Sequence, residues 1–203
     1  MDDCKYSLVM GPRLFIVSPV TPLFSAIILL SCFVGCLSTP IAITPQPKDF
    51  QRLTSLARQT ISCQVEAVDE ETVVGHQYFL AALPFGRIKS PSPQQAVLRA
   101  VELAAAIRGT ACEPEKRKGG PRLRVAVHDF SVSGYDFLFF RRPSASIVLE
   151  GWFESTVGQP SRYCSVSQSS SSIRQFAFAP ELGRVLDEVL EASAQELLTC
   201  LRL

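Results

Sequence analysis

The sequence predicts an α+β domain: a two-layer mixed, mostly antiparallel sheet with two helices packed on one face. Three observations predict it. Apolar residues alternate with a period of two over 122–130 and 145–156. A helix with its own start and stop signals lies between strands at 92–109. An amphipathic helix closes the chain from Pro180 to about Leu201.

Residues 37–60 read as a polar, proline-bearing stretch with one short strand at 40–44 and a weak helix at 49–58. Residues 60–67 (TISCQVEA) alternate enough for a strand, and Asp69-Glu70-Glu71 make a charged turn. The run 73–83 (VVGHQYFLAAL) is rich in β-formers and reads as one strand, broken by Pro84-Phe85-Gly86. Ser92 supplies an N-cap, Pro93 the first helical position, and Gln95 the third residue after the cap. That helix carries Val97, Leu98, Val101, Ala104, Ala105 and Ile107 and stops at Gly109, a residue suited to a left-handed C′ position. Residues 113–121 (EPEKRKGGP) form a polar loop.

In 122–130, Leu123, Val125 and Val127 share one strand face, with Arg122, Arg124, Ala126 and His128 on the other. The aromatic run 135–140 (YDFLFF) precedes Arg141-Arg142-Pro143. In 145–156, Ile147, Leu149 and Phe153 share a face, opposite Val148, Glu150, Trp152 and Glu154; Trp152 is assigned to the core. After a turn at 157–160, residues 162–173 return as a Ser-rich strand at an edge. Leu182, Leu186, Val189, Ser193, Leu197 and Cys200 then recur at helical spacing.

The compartment is read from the N-terminus. No charge occurs between Arg13 and Lys48, and residues 14–39 are a largely apolar run behind Lys5 and Arg13. A basic start, an apolar core and a small-residue exit are the parts of a secretory signal. Phe33-Val34-Gly35-Cys36 and Leu29-Leu30-Ser31-Cys32 resemble the bacterial lipobox, in which a small residue precedes an acylated cysteine. Cysteine arithmetic selects Cys36 over Cys32. Cleavage before Cys36 leaves Cys63, Cys112, Cys164 and Cys200, an even set in an oxidising compartment; cleavage before Cys32 leaves an odd one. Disulfides are expected among those four, with three connectivities open. The organisation expected is a signal peptide over 1–35, a lipid-anchored tether over 36–59 and one α+β domain over 60–203. The rival reading keeps the apolar run as an uncleaved single-pass anchor, since it is long enough to span a bilayer.

The chemistry-bearing residues are few. Twenty basic residues against 19 acidic ones exclude the basic excess of a nucleic-acid binder. The cysteines lack metal-site spacing, and no nucleophile or phosphate-loop motif occurs. His128 and Asp129 are neighbours on a predicted strand, so their side chains are expected on opposite faces, too far apart for an acid–base pair. No catalytic residue, metal or cofactor is therefore expected. The feature with functional promise is Phe137-Leu138-Phe139-Phe140 followed by Arg141-Arg142. A one-sided sheet cannot hide the whole apolar run, so Phe137, Phe139, Phe140, Arg141 and Arg142 are candidates to meet a protein or lipid partner; the alternative is a strand buried on both faces under a loop.

The lipobox-like 33–36, the helix 94–109, the strand 123–130, the hairpin 146–167, the Phe176-Ala177-Phe178-Ala179-Pro180 lead-in and the terminal helix together resemble the YajG-like bacterial lipoproteins. Residues 63–88 depart from that pattern. Similar layouts occur in auxiliary lipoproteins of envelope transport systems and of lipopolysaccharide assembly. The resemblance implies a non-enzymatic binding or assembly component of the cell envelope, with no catalytic residues to carry over. Neither candidate cysteine is followed by Asp, which points to the outer membrane, facing the periplasm. The alternatives are a single-pass signal-anchored subunit of an inner-membrane complex and a periplasmic enzyme. The enzyme would need a cleft where His76 or His128 meets a carboxylate or a thiol within hydrogen-bond reach.

Overall fold

In the computed structural model the described residues are 38–41, 49–66, 73–79, 83–90, 92–113, 120–137, 140–155, 161–175 and 180–203. Their elements are, in chain order, β1 (Ser38–Pro40), α1 (Phe50–Ser55), β2 (Gln59–Val65), β3 (Val73–Phe79), β4 (Leu83–Lys89), α2 (Pro93–Ile107), β5 (Thr110–Glu113), β6 (Arg122–Asp136), β7 (Phe140–Glu154), β8 (Arg162–Ser171), β9 (Arg174–Gln175) and α3 (Pro180–Cys200). The signal and lipobox region, with Cys32 and Cys36, lies outside the described residues. No helix among them is long and apolar enough to cross a membrane.

The nine strands form one sheet organised on β6, a strand of 15 residues. One edge of β6 runs antiparallel to β7 along its length. Its other edge is shared by two strands that both run parallel to it. β2 pairs with residues 122–125 and β3 with residues 132–136. β5 extends the sheet beyond β2, β4 and then β1 extend it beyond β3, and β8 and β9 both pair with β7. The α+β class and the mixed sheet agree with the sequence, but "mostly antiparallel" needs correcting. Four strand pairs are parallel and four antiparallel among the described residues. The hairpins are local and legible; the two parallel neighbours of β6 come from far along the chain.

Other expectations change at their edges. The single strand expected at 73–83 is a hairpin of β3 and β4, with Pro84 and Gly86 inside β4. Pro84 is exposed and sits beside a register irregularity between Gln77 and Tyr78, where a missing N–H is tolerated. The strand expected from 145 begins at Phe140 and takes in Pro143, paired with Gly134. β1 and α1 fall within the stretch expected as a tether, and β1 is hydrogen-bonded to β4.

Packing follows the sequence patterns. At the start of α2 the Ser92 hydroxyl accepts from the Gln95 N–H at 3.2 Å. Gly109 ends the helix at φ 75°, where a side chain would be strained. Ala96, Ala100, Ala104 and Ala105 are buried, so the backbone of α2 lies close to its neighbours. α3 buries Leu182, Leu186, Val189, Leu197 and Leu198, and Ser193 hides its hydroxyl by donating to the Val189 carbonyl at 2.7 Å. Both helices pack on one face of the sheet, against Ile61, Leu123, Val125, Ile147, Leu149 and Val166. Each such side chain contributes about 1.5–3 kcal/mol by leaving water. Gly151 leaves room for this layer: a Cβ there would stand 3.0 Å from Leu197 and 3.1 Å from Leu201.

The last turn of α3 has no basic residue of its own. Its carbonyl-rich end is met instead by two guanidinium groups from elsewhere. Arg108 donates to the Leu203 and Gln195 carbonyls at 2.8 and 3.0 Å, and Arg162 to Leu201 at 3.0 Å. Two disulfides complete the frame. Cys63–Cys112 joins β2 to β5, with Cα atoms 5.3 Å apart, and Cys164–Cys200 joins β8 to α3 at 6.1 Å.

Candidate functional site

With α2 and α3 on one face, strand alternation fixes what the other face carries. In β7, Ala145, Ile147, Leu149, Gly151 and Phe153 are buried towards the helices, while Ser144, Ser146, Val148, Glu150 and Trp152 point away. The paired register adds Tyr163, Ser165, Ser167, Ser169 and Ser171 from β8. Among the described residues this face is uncovered, and it is broad, polar and aromatic.

Three clusters lie on it. Trp152 and Tyr163 face each other across the strands with ring centroids 5.5 Å apart. Hydrogen bonding to the neighbouring Glu150 carboxylate, then desolvation and that carboxylate's charge, raise the Tyr163 pKa above its ordinary range. Glu150 also meets His128, Oε2 to Nε2, at 2.9 Å. Further along, Ser131 and Ser146 share a hydrogen bond of 2.9 Å, and Ser146 donates to Asp129 at 2.8 Å. At the β3 side, Tyr78 and Tyr135 stack at 5.2 Å with planes 15° apart, and His76 lies 6.3 Å from Tyr78. The Ser131–Ser146 pair lines a shallow depression of about 410 Å³, shared with other serines of β6, β7 and β8 and with Arg142.

Two expectations are corrected here. His128 and Asp129 are not on opposite faces. A β-bulge between Val127 and Asp129 shifts the register, and both side chains are exposed. His128 thus meets a carboxylate, but it is Glu150 and not Asp129. Trp152 is on the open face beside Tyr163, not in the core, because residue parity in β7 puts it with Glu150. A bulge leaves no composition signal, which is why alternation alone misplaces His128.

The His128 side chain is 54% exposed. Cys63, Cys112, Cys164 and Cys200 are all oxidised to disulfides, so none of them offers a thiolate. No cluster of three or more metal-ligating side chains occurs among the described residues.

The described residues of the aromatic run predicted as a partner contact lie where β6 ends and β7 begins. The Phe137 N–H donates to the Phe140 carbonyl at 2.8 Å, and the two rings stack at 4.3 Å. Phe137 is half-buried, Phe140 is 39% exposed, and Ile173 beside them is 70% exposed. Phe139 lies outside the described residues. Arg141 is paired with Asp136, one bond measuring 2.6 Å, whereas Arg142 is exposed and, among the described residues, reaches the Ser171 hydroxyl at 3.4 Å.

Fold and surface thus describe a two-layer α+β domain with one sheet face left uncovered among the described residues. No family model matches the chain, and no curated protein does. Among solved structures it is similar to a Xanthomonas campestris protein of the DUF330 family, at 14% identity and a TM-score of 0.44, over 80% of this chain and 91% of that one. It is also similar to a minor lipoprotein from Acinetobacter baumannii, at 8% identity and a TM-score of 0.38, over 72% of this chain and 92% of that one. Likenesses of this degree assign no activity.

Proposed function

We propose that this chain is a YajG-like bacterial envelope lipoprotein, held to the membrane through Cys36 and acting as a non-enzymatic binding or assembly component. The site faces the periplasm, with the outer membrane as its home. The single observation carrying this reading is the cysteine balance: every cysteine after Cys36 is taken up in one of two disulfides. That pairing suits a domain that folds in an oxidising compartment, and the uncharged run ahead of Cys36 supplies the means of getting there. The binding role is supported by the uncovered sheet face, where Trp152, Tyr163, Tyr78 and Tyr135 offer rigid aromatic contact among hydroxyl groups.

The test has two arms in cells. Fatty-acid labelling of wild type, Cys36→Ala and Cys32→Ala is expected to mark wild type and Cys32→Ala and to lose the mark in Cys36→Ala. No label on wild type would remove the lipoprotein class. A photo-crosslinking residue in place of Ser167, on the open face, is expected to give a discrete adduct with an envelope component. The same residue in place of Glu188 on α3 is expected to give none. Equal reactivity at both positions would count against the face as the contact surface.

A further inference from the structure

We infer that the β6–β7 turn is a second membrane contact: Phe140 and Ile173 insert into a phospholipid surface, with Arg142 at its anionic headgroups. The inference rests on the reading that the N-terminal segment tethers the chain to a membrane. It holds equally whether that segment is an acylated Cys36 or an uncleaved span.

The geometry comes from strand register. β1 begins at Ser38, opposite Arg87; Arg87 is opposite His76, and His76 is opposite Ser133. β1 therefore starts level with Ser133, and from there it runs away from the β6–β7 turn, as Thr39 and Pro40 pair with Ile88 and Lys89. The turn lies the other way. β6 continues past Ser133 to Asp136, three residues and about 10 Å further at the strand rise. Cys36 precedes Ser38 by two residues, a reach of at most about 7 Å. A chain anchored at Cys36 thus holds Ser38 within that distance of the headgroups. The turn projects beyond Ser38 by a comparable length, on the side from which the chain arrives. An upright domain must therefore set the turn on the bilayer.

The side chains at that end fit the contact. Phe140 and Ile173 are two of the large apolar residues left exposed among the described ones, at 39% and 70%. Ile173 is brought there by the adjoining backbone, since Ser172 bonds to Pro143 and Arg174 pairs with Arg141. Arg141 is neutralised by Asp136, while Arg142 is exposed and, among the described residues, makes one long bond, to Ser171. Aromatic and branched side chains at the acyl boundary beside a cation at the phosphates form an interfacial contact. A tethered domain gains such a contact at high effective concentration, so a small apolar patch suffices.

The protein carries its own control. Its single tryptophan, Trp152, is on the same strand as Phe140, 12 residues and roughly 40 Å away. The full chain is reconstituted into vesicles of phosphatidylcholine and phosphatidylglycerol, with or without bromine on the acyl chains. Two forms are compared: wild type, and Phe140→Trp in a Trp152→Phe background. The indole placed at position 140 is expected to lose more than half its fluorescence to bromine, and Trp152 less than a tenth. Ile173→Trp in the same background is a second reporter, expected to behave like the first. Chains that float with the vesicles but show quenching at 140 and 173 no greater than at Trp152 would overturn the contact and leave the tether standing. Chains that fail to float at all would overturn the tether and the contact together. A crosslink from position 140 to a protein in cells, without quenching in vesicles, would assign the turn to a protein partner instead.

Discussion

Removing the Cys164–Cys200 disulfide probes both the fold and the compartment assigned to it. The bond closes 36 residues and pins the C-terminal end of α3 to β8, where Cys164 is buried at 6% exposure. Chain entropy alone makes a closure of this length worth roughly 3.8 kcal/mol at 25 °C. The Cys164→Ala/Cys200→Ala double variant leaves the Leu197 and Leu201 packing in place and removes the crosslink. It is expected to lose about 3–4 kcal/mol in urea unfolding followed by Trp152 fluorescence, a fall of roughly 8–15 °C in Tm. Trp152 suits the assay because it pairs with Tyr163, one residue from Cys164. A loss below about 1 kcal/mol would refute the argument. So would four free thiols beyond Cys36 in the purified, unreduced and unfolded chain, since the pairing and the oxidising compartment would then fall together.

Four further outcomes follow from single residues. At Gly75 a Cβ would stand 1.6 Å from the Val132 carbonyl oxygen, so Gly75→Ala must part β3 from β6; a loss of about 3 kcal/mol or more is expected in the same assay. Gly109→Ala meets nothing within 4 Å and suffers only its positive φ, so it is expected to cost about 1 kcal/mol, well short of the Gly75 change. Ser92→Ala removes the α2 cap and should cost about 1 kcal/mol, with Ser92→Thr recovering most of it. Tyr163 should titrate above its ordinary value of 10.0 because Glu150 holds its proton. The folded state then binds that proton more tightly than the unfolded one. The associated stability is present below pH 10 and is lost as pH rises through the higher folded pKa. In tyrosinate absorbance, Glu150→Gln should lower the Tyr163 midpoint, and Tyr163→Phe should remove that tyrosine's contribution.

What the sequence made legible was local. Ser92, Pro93 and Gly109 announce α2 by their own backbone chemistry, and the α3 stripe from Leu182 to Leu201 needs only helical spacing. The β7–β8 hairpin declares itself by alternation and a turn. What stayed hidden depends on residues far apart. β5 has four residues and no pattern of its own; it exists as a strand because β2 and the Cys63–Cys112 bond hold it. Pro84 reads as a breaker until Tyr78 is seen opposite it at an irregular register. The parallel pairing of β2 and β3 to one edge of β6 is a choice of partner that periodicity does not encode. At the site the aromatic turn was visible in advance, because a run of apolar residues cannot all face one side. The His128–Glu150–Tyr163 cluster was not, because it needs a bulge in β6 and the register of three strands.

The central claim is that the domain is exported and tethered at Cys36, and intact-mass measurement of the purified protein's N-terminus tests it most directly. The account predicts a mature chain beginning at Cys36, heavier than its sequence by a diacylglycerol and lighter by four hydrogens for two disulfides. A chain that still starts at Met1, without lipid and with reduced cysteines, would contradict it.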